Sequence, residues 1–314
     1  RLQRAYENMN LCPLGACAIT TTGFPINRHR VSELLGFTKP TRNSYGSIAS
    51  VDYFTEQLGA TAAMLINVGK FAQEFLLMAM MEFDVIRLPD GYVQASSIMP
   101  QKRNPVAIEH VRAIASKALG QVLGVMTSVH NTPFGDINDV EDDLQPLNFS
   151  ATRDAIRAVS LLAHSLAAAE FNLELLRERA ESKYITVTEL ADVIVRREKI
   201  PFSLAHRIVA SCVKQSTAAK TAISYGMLQQ TAKQELNRGL ELSHQEFVDA
   251  LSAENFVAVR TIYGGPAPTE TQSALAEQRQ TEFGNTEWLQ HARTGLSDAR
   301  LNLENTIRVV LEGS

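Results

Sequence analysis

The stretch from Phe54 to Phe83 constrains this chain more than any other. Phe54, Leu58, Thr61, Leu65, Val68, Ala72, Phe75 and Ala79 recur at alternating spacings of four and three, the repeat of a helical seam. At 1.5 Å per residue the segment is about 45 Å long. Between Phe54 and Glu82 its only charges are Glu56, Lys70, Glu74 and Glu82, so it is apolar on nearly every side. Such a helix must be covered on nearly every side. The longest unbroken apolar run, Phe75 to Met81, is far short of a membrane span. The helix therefore belongs in the centre of a bundle, one shared between subunits.

Two further long helices fit that bundle. One is expected to start at Asn104-Pro105, with Asn104 as the N-cap and Pro105 at the first helical position. It runs through Val111, Ala118 and Val125 towards His130. Another starts near Pro146 and ends near Phe171. Long helices of matching length describe an all-α bundle. After Phe171 the helices shorten. Thr186 with Glu189, and Ser243 with Glu246, have capping-box spacing. Ile262 to Pro268 is a turn-rich connector. A final helix is expected from about Thr271 to Leu311, with a break near Gly284. The expected division is a bundle domain over residues 1–175, incomplete at its N-terminus, and a C-terminal helical domain with a tail helix over 176–314.

Composition narrows the function classes. The chain has 314 residues, 45% of them hydrophobic, and a net charge of -4. It is too apolar for a disordered chain. Its mild acidity offers nothing to nucleic acid or to anionic membranes. Cys12, Cys17 and Cys212 are too few for a disulfide framework and point to reduced thiols in the cytoplasm. The seven histidines show no metal-ligand spacing, and there is no phosphate-binding glycine loop and no G-x-S-x-G elbow. No metal or cofactor is expected. The opening RLQRAYENMN has neither an initiator Met nor a signal pattern, so the chain is expected to be part of a longer polypeptide.

Two loops hold the candidate chemistry. The first runs from Ala95 to Pro105, reading Ala-Ser-Ser-Ile-Met-Pro-Gln-Lys-Arg-Asn-Pro. It packs Ser96, Ser97, Lys102 and Asn104 just before a helix N-terminus, where unpaired N–H groups and a lysine favour a bound carboxylate. The second, Pro133 to Pro146, places five acids in positions 136–143. It is not an EF-hand, because Val140 and Glu141 stand where a ligand and the required Gly would be. Such a run also reads as a plain solvated loop.

The first loop resembles the signature loop of the fumarase/aspartase superfamily, and Gln101 points to its argininosuccinate lyase branch. Pro13-Leu14-Gly15-Ala16, Thr22 to Ile26, Leu34 to Phe37, Asn43-Ser44, Gly264-Gly265 and Ala267-Pro268 are similar to that branch in the same order. The resemblance implies a central helical bundle, a homotetramer with shared active sites, and β-elimination of an amine from an N-succinyl substrate to release fumarate. The family default is argininosuccinate, cleaved to arginine and fumarate. By the same resemblance Ser96 takes the proton, Lys102 and Asn104 grip the succinyl carboxylate, and Ser97 adds a hydrogen bond. Ile98 and Met99 let the loop close. In the second loop the family's Tyr, Gln and Lys fall on Asp136, Glu141 and Leu144, which makes Asp136 and Glu141 substrate-binding candidates. Other departures are Ala95 for a usual Gly, Arg103 for a common Lys, and Ala49-Ser50-Val51 for a polar run. The family builds each site from three segments of different subunits. Two of those segments lie upstream of Arg1, so residues 1–314 alone are expected to be inactive. A lyase for a different N-succinyl amine or diamine is an alternative, and a non-catalytic crystallin-like protein is a second.

Overall fold

The computed structural model describes residues 1–99, 101–138, 143–182 and 184–313. It begins with α1 (Leu2–Met9), β1 (Leu11–Cys12), α2 (Arg28–Leu34), β2 (Lys39–Pro40) and α3 (Ser44–Ala49). Asn27 and Asn43 cap α2 and α3, each accepting a backbone N–H three residues on. β1 and β2 pair in parallel. Arg28 ties the long loop between them and their flanks together, donating to the carbonyls of Pro13, Leu14 and Thr41.

The apolar seam forms α4 (Asp52–Met78). Phe54, Leu58, Thr61, Leu65, Val68, Ala72 and Leu76 are its buried residues. Phe75, expected on the seam, is only partly buried and Leu76 takes its place, because a 3.6-residue turn drifts away from a 3.5-residue repeat. After α4 come β3 (Ile86–Arg87), a single 3-10 turn at Asp90–Tyr92, β4 (Gln94–Ala95) and β5 (Arg103–Asn104). Then follow α5 (Val106–Val129), α6 (Gln145–Ala168) and β6 (Glu170–Phe171), which pairs with β3.

α4, α5 and α6 form the bundle. Leu65, Val68, Ala72 and Leu76 of α4 pack with Ile108, Val111 and Ala115 at the start of α5. Phe54 and Leu58 pack with Val122, Val125 and Val129 at its end. α4 and α5 are therefore antiparallel. Small residues on α6, namely Ala151, Ala155 and Ala158, let it approach closely.

The bundle also holds one buried charge, Asp154 of α6. Lys117 Nζ approaches its carboxylate at 2.7 Å and Arg157 Nη1 at 2.9 Å. The hydrogen bond from Lys117 lowers the Asp154 pKa below the usual carboxylate range, against the opposing effect of burial. A lowered folded-state pKa contributes stability that is complete above the unfolded value of about 3.9 and is lost as pH falls through the folded value. Asp154→Asn should therefore flatten the acid limb of a melting-temperature profile below about pH 4. Parallel profiles for the two proteins would show that the pair contributes nothing there.

The chain divides into two compact units, Arg1–Phe171 with Glu287–Ser314, and Asn172–Thr286. The second unit contains α7 (Leu173–Glu181), α8 (Val187–Glu198), α9 (Phe202–Ala219), α10 (Tyr225–Leu236), α11 (His244–Leu251) and α12 (Ala253–Ala258), and α13 (Pro268–Glu312) begins in it. Its core is built on Leu190, Ile194, Ile208, Leu228 and Leu242. The Ser243–Glu246 capping box is present. The one expected at Thr186 is not. Thr186 Oγ1 instead donates to the Leu251 carbonyl, and the buried Glu189 carboxylate receives Arg196 at 2.5 Å and Arg260 at 2.9 Å. α13 is continuous through Gly284, where the sequence suggested a break. One glycine costs a helix about 1 kcal/mol relative to alanine, too little to interrupt one this long.

Fold class matches the expectation: an all-α long-helix bundle with a smaller helical region after it. Among the described residues, no helix is long and apolar enough to cross a membrane.

Candidate active site

The β4–β5 hairpin presents residues 96–99 and 101–102. Gln94 pairs with Asn104, and Ala95 with Arg103. Asn104 Nδ2 donates to the Gln94 carbonyl at 3.2 Å. Asn104 thus commits one amide hydrogen to the hairpin and does not cap α5. Pro105 occupies the cap position, and the helix starts at Val106 with no side-chain cap. Ala95 lies in the paired strand and has no positive φ, so a methyl group replaces the family's glycine without backbone strain.

Ser96 follows the strand directly. Its Oγ accepts the backbone N–H of Ile98 at 3.2 Å and of Met99 at 3.1 Å. Lys102 N donates to the Met99 carbonyl at 3.0 Å and tightens the other side of the loop. Two N–H dipoles aimed at one hydroxyl oxygen favour its deprotonated form. Ser97 and Lys102 are exposed, and the Lys102 ammonium has no partner among the described residues. Ile98 is 87% exposed, which leaves an apolar loop tip facing solvent.

Beside the loop is a cavity of about 740 Å³. Met99, Lys102, Arg103 and Asn104 line it from the hairpin, with Arg87 and Arg112 across from them. Arg112 is steadied by a 2.9 Å hydrogen bond to Gln73 Oε1. Glu82, Asp84 and Glu109 also line it, so the charge is mixed, and the Lys102 side is the part that suits an anionic ligand. Arg103 also reaches backward. Its Nη1 meets Asp90 Oδ1 at 2.5 Å and its Nη2 donates to the Leu88 carbonyl at 2.9 Å. The hydrogen bond and charge of Arg103 hold the Asp90 carboxyl below its ordinary range.

The second loop follows α5. Tyr45 of α3 anchors its start: the phenol donates to the Phe134 carbonyl at 3.0 Å, and the two rings stack with centroids 6.0 Å apart. Asp136 is exposed and has no partner among the described residues. Glu141 lies outside the described residues. Leu144 is buried against Phe54, Leu58 and Val122, so position 144 belongs to the core and not to a pocket.

The two loops hang from opposite ends of α5. That helix has 24 residues, or about 36 Å. The hairpin sits by the C-terminal end of α4, where Leu76 and Leu77, with Met80 just beyond the helix, share its cavity. The second loop sits near the N-terminal side of α4, through Tyr45. Ser96, Ser97, Lys102 and Asn104 are brought together in one hairpin. Within one chain, Asp136 is not brought to them.

A family model described as a lyase matches residues 1–120, which include the whole hairpin. A second, described as the argininosuccinate lyase C-terminal region, matches residues 184–258. Argininosuccinate lyase 2 of Agrobacterium fabrum is 41% identical over 282 residues, covering 89% of this chain and 56% of that protein. The chain belongs to the argininosuccinate lyase family. Another family member, the argininosuccinate lyase of Methanoculleus marisnigri, is 32% identical over 307 residues, covering 95% of this chain and 60% of its own length. The chain thus spans less than two thirds of either relative. Among solved structures, an EDDS lyase variant with bound fumarate matches with a TM-score of 0.90 at 30% identity, over 99% of this chain and 62% of that one.

Family resemblance pointed to Ser96, Lys102 and Asn104 but not to what holds them. The amide donors to Ser96 lie two and three residues on, a local pattern that serine in a loop often makes. The Arg103 contacts to residues 88 and 90, and the Tyr45 anchor to Phe134, had no such signal.

Proposed function

We propose that this chain carries the serine-loop segment of a carbon–nitrogen lyase that eliminates an amine from an N-succinyl substrate and releases fumarate. The observation that carries the reading is the Ser96 hydroxyl oxygen held by two backbone N–H groups, in a loop whose Met99 and Lys102 line the neighbouring cavity. A free serine is a very weak base, and those donors together with Lys102 supply the acidification it needs. Deprotonated Ser96 takes the proton from the carbon next to a carboxylate. The electron pair moves into that carboxylate as an aci-form, which preorganised donors must stabilise. The pair then returns to form the double bond as the carbon–nitrogen bond breaks and the amine leaves. Lys102, with Asn104, suits the succinyl carboxylate, and Ser97 next to Ser96 adds a hydrogen bond on this reading. The apolar Ile98–Met99 tip is suited to closing over the site and excluding water. The enzyme names of the relatives support a lyase over a crystallin-like structural protein.

We further propose a shared site. Ser96 and Asp136 are at opposite ends of one helix, so if both act on one substrate they come from different copies. Exposed apolar residues on the bundle, including Ile66 and Phe71 of α4 and Phe149 and Ile156 of α6, suit burial between copies in a homotetramer.

The leaving group is the second part of the proposal. Argininosuccinate carries a free carboxylate at its far end. Leu144 lies in the core and cannot pair with it, and the second loop carries the acidic Asp136 and Glu141. Losing one charge-assisted hydrogen bond costs about 1.5–3 kcal/mol. That is roughly a tenfold to hundredfold loss in affinity. The full-length protein should therefore cleave argininosuccinate weakly and a succinylated diamine better, with Asp136→Asn narrowing the gap. Fumarate release followed by ultraviolet absorbance across a panel of succinylated amines measures this. Efficient argininosuccinate cleavage, with a preference that Asp136→Asn leaves unchanged, would restore the family default.

A further inference from the structure

We propose that Arg103 and Asp90 form a clamp that sets the position of the serine loop, with Arg103 as a positioning residue for Ser96 and Lys102. The inference rests on the lyase reading above for its effect on rate. The loop has two roots, β4 and β5, and Arg103 is the first residue of β5. Its backbone is paired with Ala95, one residue before Ser96. Its guanidinium is forked away from the hairpin, with Nη1 on Asp90 and Nη2 on the carbonyl of Leu88. Leu88 is only 3% exposed and is packed in the bundle core. Two residues before it, β3 is fixed to β6 at the end of α6. One side chain therefore connects the base of the serine loop to the bundle core.

The chemistry of the fork explains why arginine suits this position. A guanidinium donates in two fixed directions at once, whereas a lysine ammonium is a point charge on a flexible stem. Lysine at 103 would keep the Asp90 pairing and lose the fixed geometry on Leu88. The pair adds little to global stability, because the Asp90 side chain is 89% exposed and solvent screens it. Its effect should appear in where the loop sits. Displacing a reacting group by about 1 Å can cost about a hundredfold in rate.

The test uses the full-length protein with Arg103→Met, Arg103→Lys, Asp90→Ala and the Arg103→Met/Asp90→Ala double variant. Arg103→Met should lower kcat by roughly tenfold to a hundredfold while KM and melting temperature change little. The apparent pKa on the acid limb of the kcat/KM profile should rise, because a looser loop weakens the amide donors to Ser96. Arg103→Lys should recover part of the loss. Asp90→Ala should lower kcat too, and the double variant should be no worse than Arg103→Met alone. Hydrogen exchange at the Ile98 and Met99 amides should speed up in Arg103→Met and in Asp90→Ala, which is read without any substrate. A wild-type kcat and acid limb in Arg103→Met would overturn the clamp. So would a rise in KM alone, which indicates direct contact with substrate, or losses that multiply in the double variant. If the wild-type protein releases no fumarate from any succinylated amine, the lyase reading fails, and exchange rates alone decide the clamp: unchanged protection rejects it and lost protection upholds it.

Discussion

Ser96→Ala in the full-length protein abolishes fumarate release and leaves helical content and melting temperature where they were. Both halves of that result follow from the hairpin. Ser96 Oγ accepts two loop amides, and those amides are exposed enough to turn to water when the oxygen is removed. No core side chain loses a contact, because the residue belongs to a loop between two short strands. Loss of a positioned base costs about a hundredfold to ten-thousandfold in rate. Here the amide donors would have no oxygen to activate, which puts the loss at the upper end of that range. Near-normal turnover in Ser96→Ala would remove the residue from the role. A large drop in melting temperature would show that it supports the fold as well.

Mixing two damaged proteins should restore activity that neither has alone. The serine loop and the second loop lie about 36 Å apart along α5, so one copy cannot offer both to a small substrate. Take full-length Ser96→Ala and full-length Asp136→Arg, each purified, then unfold and refold them together in equal amounts. If every site draws its serine loop from one copy and its second loop from another, about one site in four receives two intact loops. Activity should then rise from near zero to about a quarter of the wild-type value. No gain above the mean of the two separate proteins would mean that Asp136 acts in no site shared with Ser96.

Much of the bundle was legible because its signals are local. Phe54, Leu58, Thr61 and Leu65 repeat along one strip of chain, and no distant residue is needed to see a buried helix face. The error at Phe75 came from the slow drift of the helical repeat. The signals that failed were those a distant partner can override. Thr186 and Glu189 have the spacing of a capping box, but Arg260, 71 residues along the chain, claims the Glu189 carboxylate. Asn104 is a good cap by type, but the Gln94 carbonyl across the hairpin takes its side chain. The candidate site divides the same way. Ser96, Lys102 and Asn104 sit in one short motif and were found together. Asp136 was grouped with them by family resemblance, and the length of α5 shows how far apart a single chain holds them. The anchors at Asp90, Leu88 and Tyr45 were invisible because nothing near each of them in the chain marks it as a partner.

That separation has an evolutionary consequence. On the proposed reading, one end of the helix carries the groups that remove a proton, and the other carries the groups that face the departing amine. A substitution in residues 133–138 would then retune which amine is accepted without disturbing the hairpin that holds Ser96. Divergence can thus proceed at one end under relaxed constraint while the other stays under purifying selection. A lineage built on this scaffold is able to exchange one nitrogen compound for another without passing through an inactive ancestor.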